Sequence, residues 1–148
     1  MRIALAADHA GFALKDELAA WLRDSGHVVI DLGTNSTESV DYPEFGARLA
    51  SAVASGEAER GIAVCGSGIG ISIAVNRNPG CRCARVDDPL SARLAREHNN
   101  ANVLAMGGRL VGGDMARACV TEFLGTDFAG GRHQRRVDQL SQLLQESD

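Results

Sequence analysis

The stretch CGSGIG at 65–70 sets a thiol and a hydroxyl among three glycines, between the apolar run GIAV and the mixed stretch ISIAVNRN. A glycine-rich turn leading from a strand into a helix cradles an anion, because the free amides of the helix start and its dipole both favour negative charge. A thiol at its lip is expected to be held as thiolate. Known templates do not fit. A G-x-S-x-G elbow would need glycines where Cys65 and Ile69 stand, no Gly-Lys-Ser/Thr follows as in a Walker loop, and G-x-G-x-x-G fails at Ile71 and Ile73. What remains is a nest of amides from Gly66 to Gly70 with Cys65 beside it and Ser67 inside it. One reaction class uses that set without metal or cofactor, the movement of a carbonyl between adjacent carbons through an enediolate. A base takes a weakly acidic carbon proton, preorganised donors neutralise the oxyanion, and a hydroxyl passes hydrogen between the two oxygens. No two histidines lie close on one face, so no metal-ligand constellation competes.

Such a turn needs strands and helices to hold it. RIALAA (2–7), HVVIDL (27–32), GIAVC (61–65), CRCARV (81–86) and NVLAM (102–106) have the length and apolar content of buried parallel strands. Between them, helical spacing relates Leu14, Leu18, Trp21 and Leu22, then Phe45, Leu49, Ala52 and Val53, then Leu90 and Leu94, then Met115, Ala118, Cys119 and Phe123. Gly26 and Gly56 punctuate the first two patterns. A β-α order repeated in a chain of this length predicts an open, doubly wound α/β sheet with right-handed crossovers. A last helix is signalled by Val137, Leu140 and Leu144, with Arg132, Arg135 and Arg136 in its first turn. Cations are misplaced at a helix start, so this end either meets an anion or is simply solvated.

In open α/β sheets sites gather at the carboxyl ends of the strands. Those ends carry Asp8 and His9, Cys65 with its turn, Asp87 and Asp88, and Arg109 after two glycines. Each has a plainer use. Asp8 suits a cap for a helix near Gly11, and His98, ahead of Asn99 and Asn100, suits a helix end where those asparagines supply left-handed residues. Arg109 could be an ordinary loop arginine. His27, at the opposite edge, is assigned to structure.

The 148 residues, 45% hydrophobic, allow one domain, 1–148, with a real core. A formal net charge of −4 with scattered Lys and Arg argues against a nucleic-acid surface. No apolar run reaches the ~18 residues of a membrane span, and there is no signal-peptide layout, so a cytoplasmic protein with no membrane partner is expected. Cys65, Cys81, Cys83 and Cys119 form no C-x-x-C pair and are expected to be reduced, the last three as core residues.

ADHAGFALK at 7–15, DYPEFG at 41–46, CGSGIGISIAVN at 65–76, ARLAREHNNANVLAMGGR at 92–109 and GGRHQRRV at 130–137 together resemble, along the whole chain, the type B ribose-5-phosphate isomerases, grouped with the galactose- and allose-6-phosphate isomerases. The resemblance implies a Rossmann-like three-layer α/β/α sandwich with a five-stranded parallel sheet and an extra C-terminal helix. It also implies a homodimer, with a tetramer as the alternative, whose sites lie between subunits. Carried over by position, Cys65 matches the base and His98 the residue that opens the furanose ring. Ser67 matches a hydroxyl that assists the enediolate, and the amides from Gly66 through Gly68 and Ile69 to Gly70 match its anion hole. Asp8, Tyr42 and Asn99 match residues along the sugar, and His9, Arg109, Arg132 and Arg136 those on the phosphate. Arg132 and Arg136 at i and i+4 share one helical face, which gives the basic helix start an anion. One branch of the family uses a glutamate one residue after the turn, where this chain has Ile71, so the resemblance points to the cysteine branch. Ser67 stands where many members have Thr, and Asp87 where neighbours have Cys or Ser.

The expected activity is therefore a metal-free, cofactor-free isomerisation of D-ribose 5-phosphate and D-ribulose 5-phosphate. The alternatives are the same chemistry on a tetrose or hexose phosphate, or a phosphate- or nucleotide-binding module without turnover. A thiolate base and a neutral histidine together predict a bell-shaped rate profile, and a profile flat from about pH 6 to about pH 9 would contradict that pairing.

Overall fold

Strands buried on both faces pair most readily in parallel, with the helices that return the chain covering each face. The computed structural model describes residues 1–145, with side chains described as far as Leu143. The strands are β1 (Arg2–Ala7), β2 (Val28–Asp31), β3 (Arg60–Cys65), β4 (Cys83–Arg85) and β5 (Val103–Gly107). All pairings are parallel, in the order β2-β1-β3-β5-β4. The helices are α1 (Phe12–Asp24), α2 (Tyr42–Ala54), α3 (Ile69–Val75), α4 (Pro89–Asn99), α5 (Gly113–Gly125) and α6 (Arg132–Gln145).

Alternation along the strands sorts the core into two layers of different grain. Ile3, Leu5, Ile62, Val64, Leu104 and Met106 face α1, α4 and α5, meeting Leu14, Leu18, Leu22, Cys119 and Phe123. Ala4, Ala6, Ala63 and Ala105 face α2 and α3, meeting Phe45, Leu49, Val53, Ile71 and Val75. The small residues on this second face let α2 and α3 come close to the sheet and to each other. A Cβ on Gly46 would lie 2.8 Å from that of Ala74. The crossovers that move toward the β2 edge use α1 and α4, and those that move toward the β4 edge use α2 and α3, as a single crossover hand requires.

One helix turns a different face inward from the one its large residues suggest. In α4 the buried residues are Ala92, Ala95 and Arg96, while Leu90 is 53% exposed. The cause is α5, which packs alongside and leaves room only for small side chains, plus one guanidinium held by three hydrogen bonds. Arg96 bonds the carbonyls of Thr126 and Ala101 and the side chain of Asn100. In α5, Met115 is likewise outside, and Ala116, Cys119, Val120 and Phe123 are inside. Strand β4 starts at Cys83 rather than at residue 81, because the backbone at Cys81 closes a turn onto Asn78 and Arg82 N–H bonds the Asn102 side chain at 2.7 Å. Asn100 ends α4 in the left-handed region at φ +48°. Helix α6 packs on α4 outside the three layers, with Val137 buried and Leu140 exposed. The Leu144 side chain, expected on its inner face, lies outside the described side chains.

Lys15 of α1 is fully buried, and its ammonium meets both carboxylate oxygens of Asp31 at 2.8 Å. Asp31 in turn accepts the Gly33 N–H at 2.9 Å, so the pair fixes the exit of β2 against α1. Removing one member of a buried pair strands the other. Lys15→Ala is expected to lower stability by about 3 kcal/mol in urea unfolding, and the double replacement Lys15→Met with Asp31→Leu to recover most of that loss.

Candidate active site

Strand β3 ends at Cys65 and α3 begins at Ile69, so the chain must reverse within three residues at the carboxyl edge of the sheet. Gly68 makes the reversal, in the left-handed region at φ +77°, where a Cβ would also lie 2.7 Å from the carbonyl carbon of Met106. The reversal aims the Gly68 N–H at the Cys65 sulfur, 3.1 Å away, and the Ile69 N–H at the Ser67 hydroxyl oxygen, 3.2 Å away. Two of the amides expected in the anion nest are thus engaged within the turn. Those of Gly66, Ser67 and Gly70 donate to no protein atom among the described residues.

These three residues line a cavity of about 330 Å³ that also has Cys65, Asp8, His9, Tyr42 and Arg109 in its walls. Cys65 is 4% exposed and forms part of the cavity wall. Asp8 does both things open to it, since its Oδ1 accepts the amides of Ala10 and Gly11 at 3.0 and 3.1 Å and the residue also borders the cavity. The Nδ1 of His9 sits against the Val40 backbone, 3.1 Å from its amide nitrogen and 3.2 Å from its carbonyl oxygen, so the ring is anchored there in either tautomer and its other edge is left to the cavity. Tyr42 opens α2, and its ring covers Gly70 so closely that a Cβ there would be 2.6 Å from it. The Arg109 N–H bonds the Gly66 carbonyl at 3.0 Å, and its guanidinium lies over Gly66. Ile69 differs from its neighbours, because its side chain is 51% exposed and outside the cavity wall.

The remaining expected residues form a second group. His98 and Asn99 end α4, and Arg132 and Arg136 open α6. A helix that returns between parallel strands ends at their amino edge, so this group lies across the sheet from Cys65, and none of it borders the cavity. The link between α5 and α6 is tied to α4 by Ala129 N–H to Glu97 O at 3.1 Å. That tie brings His133 onto His98, with ring centroids 4.4 Å apart and planes 17° from parallel. Desolvation, then the nearby His98, Arg132 and Arg136 charges, hold His133 below the usual imidazole range. His133 was not singled out in the sequence, although it stands inside GGRHQRRV.

One more residue near the turn escaped the sequence reading. Arg85, within the run read as a buried strand, donates its Nε–H to the Ser67 carbonyl at 3.0 Å. Among the described residues, no three His, Cys, Asp or Glu side chains are grouped as a metal ion would need. No described helix is long and apolar enough to cross a membrane.

The four thiols differ. Burial pushes Cys81 and Cys119 up to about 11 and raises Cys83 further, with Cys81 adding to the last. All three stay protonated well above neutral pH, Cys81 and Cys119 buried and Cys83 partly so. Iodoacetamide at about pH 8 is therefore expected to add once per folded chain, at Cys65, as read by peptide mass. Gly70→Ala should push the Tyr42 ring aside and weaken ligand binding about tenfold, measured by titration, with little change in thermal stability.

Similarity to known proteins extends along nearly the whole chain. The family model described as Ribose/Galactose Isomerase matches residues 3–140. The Escherichia coli K12 protein named ribose-5-phosphate isomerase B is 47% identical over 144 residues, 97% of each chain. A putative sugar phosphate isomerase of Bacillus subtilis is 43% identical over 95% of each. Among solved structures, ribose-5-phosphate isomerase B of Clostridium thermocellum superimposes with a TM-score of 0.99 at 48% identity, covering 100% of both chains. The Mycoplasma genitalium enzyme with bound ribulose 5-phosphate gives 0.94 at 37% identity, covering 98% of this chain and 97% of that one. With a thiol at a glycine turn, a five-stranded parallel sheet and matches of this extent, the chain belongs to the ribose/galactose isomerase family.

Proposed function

We propose that the chain is an aldose-ketose isomerase interconverting D-ribose 5-phosphate and D-ribulose 5-phosphate, with residues 1–148 acting as one domain and without metal or cofactor. The observation that carries the reading is Cys65 in the wall of a cavity of about 330 Å³, with the Gly68 N–H on its sulfur and the uncommitted amides of Gly66, Ser67 and Gly70 lining the same cavity. The names of the relatives, and the ribulose 5-phosphate bound to one of them, support the choice of sugar.

In this reading the Cys65 thiolate takes the proton from C2 of the open-chain aldose. Electrons from that C–H bond form the C1–C2 double bond, and the C1 carbonyl oxygen becomes the oxyanion met by the amides of Gly66, Ser67 and Gly70. Ser67, whose oxygen already accepts the Ile69 N–H, has its own proton free to relay hydrogen from O2 to O1. The thiol then returns a proton to C1, leaving the carbonyl at C2. Asp8, Tyr42 and Asn99 hold hydroxyls, and His9, Arg109, Arg132 and Arg136 hold the phosphate.

Ring opening by His98 requires a second copy of the chain. His98, Asn99, Arg132 and Arg136 lie at the opposite sheet edge from Cys65, so the reading places them in the site of a neighbouring subunit of a homodimer. Unpaired thiols and a thiolate base suit a reducing compartment, so we assign the enzyme to the cytoplasm.

With chelator present, the purified protein should convert ribose 5-phosphate to the ketose, and Cys65→Ala should lower kcat by about 10³-fold. Turnover of only allose 6-phosphate or erythrose 4-phosphate would move the substrate and keep the chemistry. No turnover of any sugar, with phosphate ligands still bound, would leave a binding module. Mixing Cys65→Ala with His98→Asn subunits should restore about a quarter of wild-type activity, since half the random dimers carry one intact site of two. Failure to complement after verified subunit exchange would contradict a shared site.

A further inference from the structure

Arg85 is a charged residue on the edge strand β4, where the run CRCARV would otherwise alternate small apolar side chains between two core faces. It is only partly exposed, and its guanidinium is engaged. Its Nε–H bonds the Ser67 carbonyl at 3.0 Å, and its Nη1 meets Asp87 Oδ2 at 2.6 Å, which fixes the guanidinium in place. The Ser67 carbonyl and the Gly68 N–H belong to one peptide unit, and in a trans peptide they point in opposite directions. Arg85 therefore holds one end of the unit whose other end donates to the Cys65 sulfur at 3.1 Å. The chain of contacts runs guanidinium, carbonyl, amide, sulfur.

We infer that Arg85, braced by Asp87, is a positioning residue for Cys65, orienting and polarising the Ser67–Gly68 peptide so that its N–H stabilises the sulfur in its anionic form. A cation bonded to a carbonyl draws electron density along the amide and strengthens its N–H as a donor, an effect of about 10–30% per bond in hydrogen-bonded chains. It also fixes the one peptide plane that must not rotate if the Gly68 N–H is to stay on the sulfur. The other titratable and charged groups around the same cavity come from different elements: Asp8 and His9 after β1, Tyr42 from α2, and Arg109 after β5. Arg85 acts only through the peptide. The inference rests on Cys65 being the base as far as turnover is concerned, but its effect on the sulfur can be read without turnover.

The experiment follows the pH dependence of iodoacetamide addition at Cys65, by peptide mass, in wild type, Arg85→Val and Arg85→Gln. Arg85→Val should move the alkylation midpoint up by about half a pH unit. Arg85→Gln keeps a neutral donor near the Ser67 carbonyl and should move it by less. The acid limb of kcat/KM should move with the alkylation midpoint, so that turnover near pH 7 falls about threefold with KM almost unchanged. Midpoints of both folded variants equal to wild type would overturn the inference. If Arg85→Val does not fold, Arg85→Gln decides, an upward shift upholding it and no shift overturning it. Full turnover by Cys65→Ala would sink the proposed base while leaving the alkylation result to judge Arg85 separately.

Discussion

The hydrogen bond from Gly68 N–H to the Cys65 sulfur is the contact on which the rest of the site depends. It forms because a strand stops and a helix starts within three residues, and only a left-handed residue without a Cβ can make that turn under the backbone of Met106. The same crowding brings the loops after β1 and β5 against the turn, so Asp8, His9 and Arg109 arrive with backbone precision rather than by long flexible reach. Helix α3 spans only Ile69–Val75, so its macrodipole is modest, and individual amides carry the electrostatics. The division of those amides is informative. One serves the sulfur, one sets the Ser67 hydroxyl, and three face the cavity without protein acceptors among the described residues.

The two grains of the core serve this arrangement. Large side chains on one sheet face hold α1, α4 and α5. Alanines on the other let α2 and α3 approach closely enough for Tyr42 to close over Gly70. The Lys15–Asp31 pair locks the first crossover at the β2 edge. A rigid frame of this kind suits a reaction in which one sulfur must reach two adjacent carbons of the same substrate.

Much of this was legible in the residues. Alternating apolar runs gave the strands, because buried parallel strands leave a continuous hydrophobic signature, and Gly26 and Gly56, both at positive φ, marked the ends of α1 and α2. The thiol and its glycines are neighbours in sequence, so the turn that joins them could be read directly. Less legible was the inward face of α4, since Ala92, Ala95 and a hydrogen-bonded Arg96 give a weaker pattern than Leu90 and Leu94, of which Leu90 is exposed and Leu94 only partly buried. Arg85 was missed for a related reason. A charge inside a short strand gains its meaning only from the Ser67 carbonyl, eighteen residues earlier, that pairing in space supplies. The separation of His98 from Cys65 follows from helix direction, and one chain leaves each group of residues facing outward from its own sheet edge.

The proposed catalysis rests on proton transfer at carbon by a single sulfur, and isomerisation in deuterium oxide tests it most directly. A thiolate that lifts the C2 proton and returns one to C1 exchanges with solvent during the enediolate lifetime. Ribulose 5-phosphate formed by the wild-type protein is predicted to carry solvent deuterium at C1 by nuclear magnetic resonance. Complete transfer of the substrate's own C2 hydrogen to C1, with no solvent label at any stage of conversion, would indicate a hydride shift and contradict it.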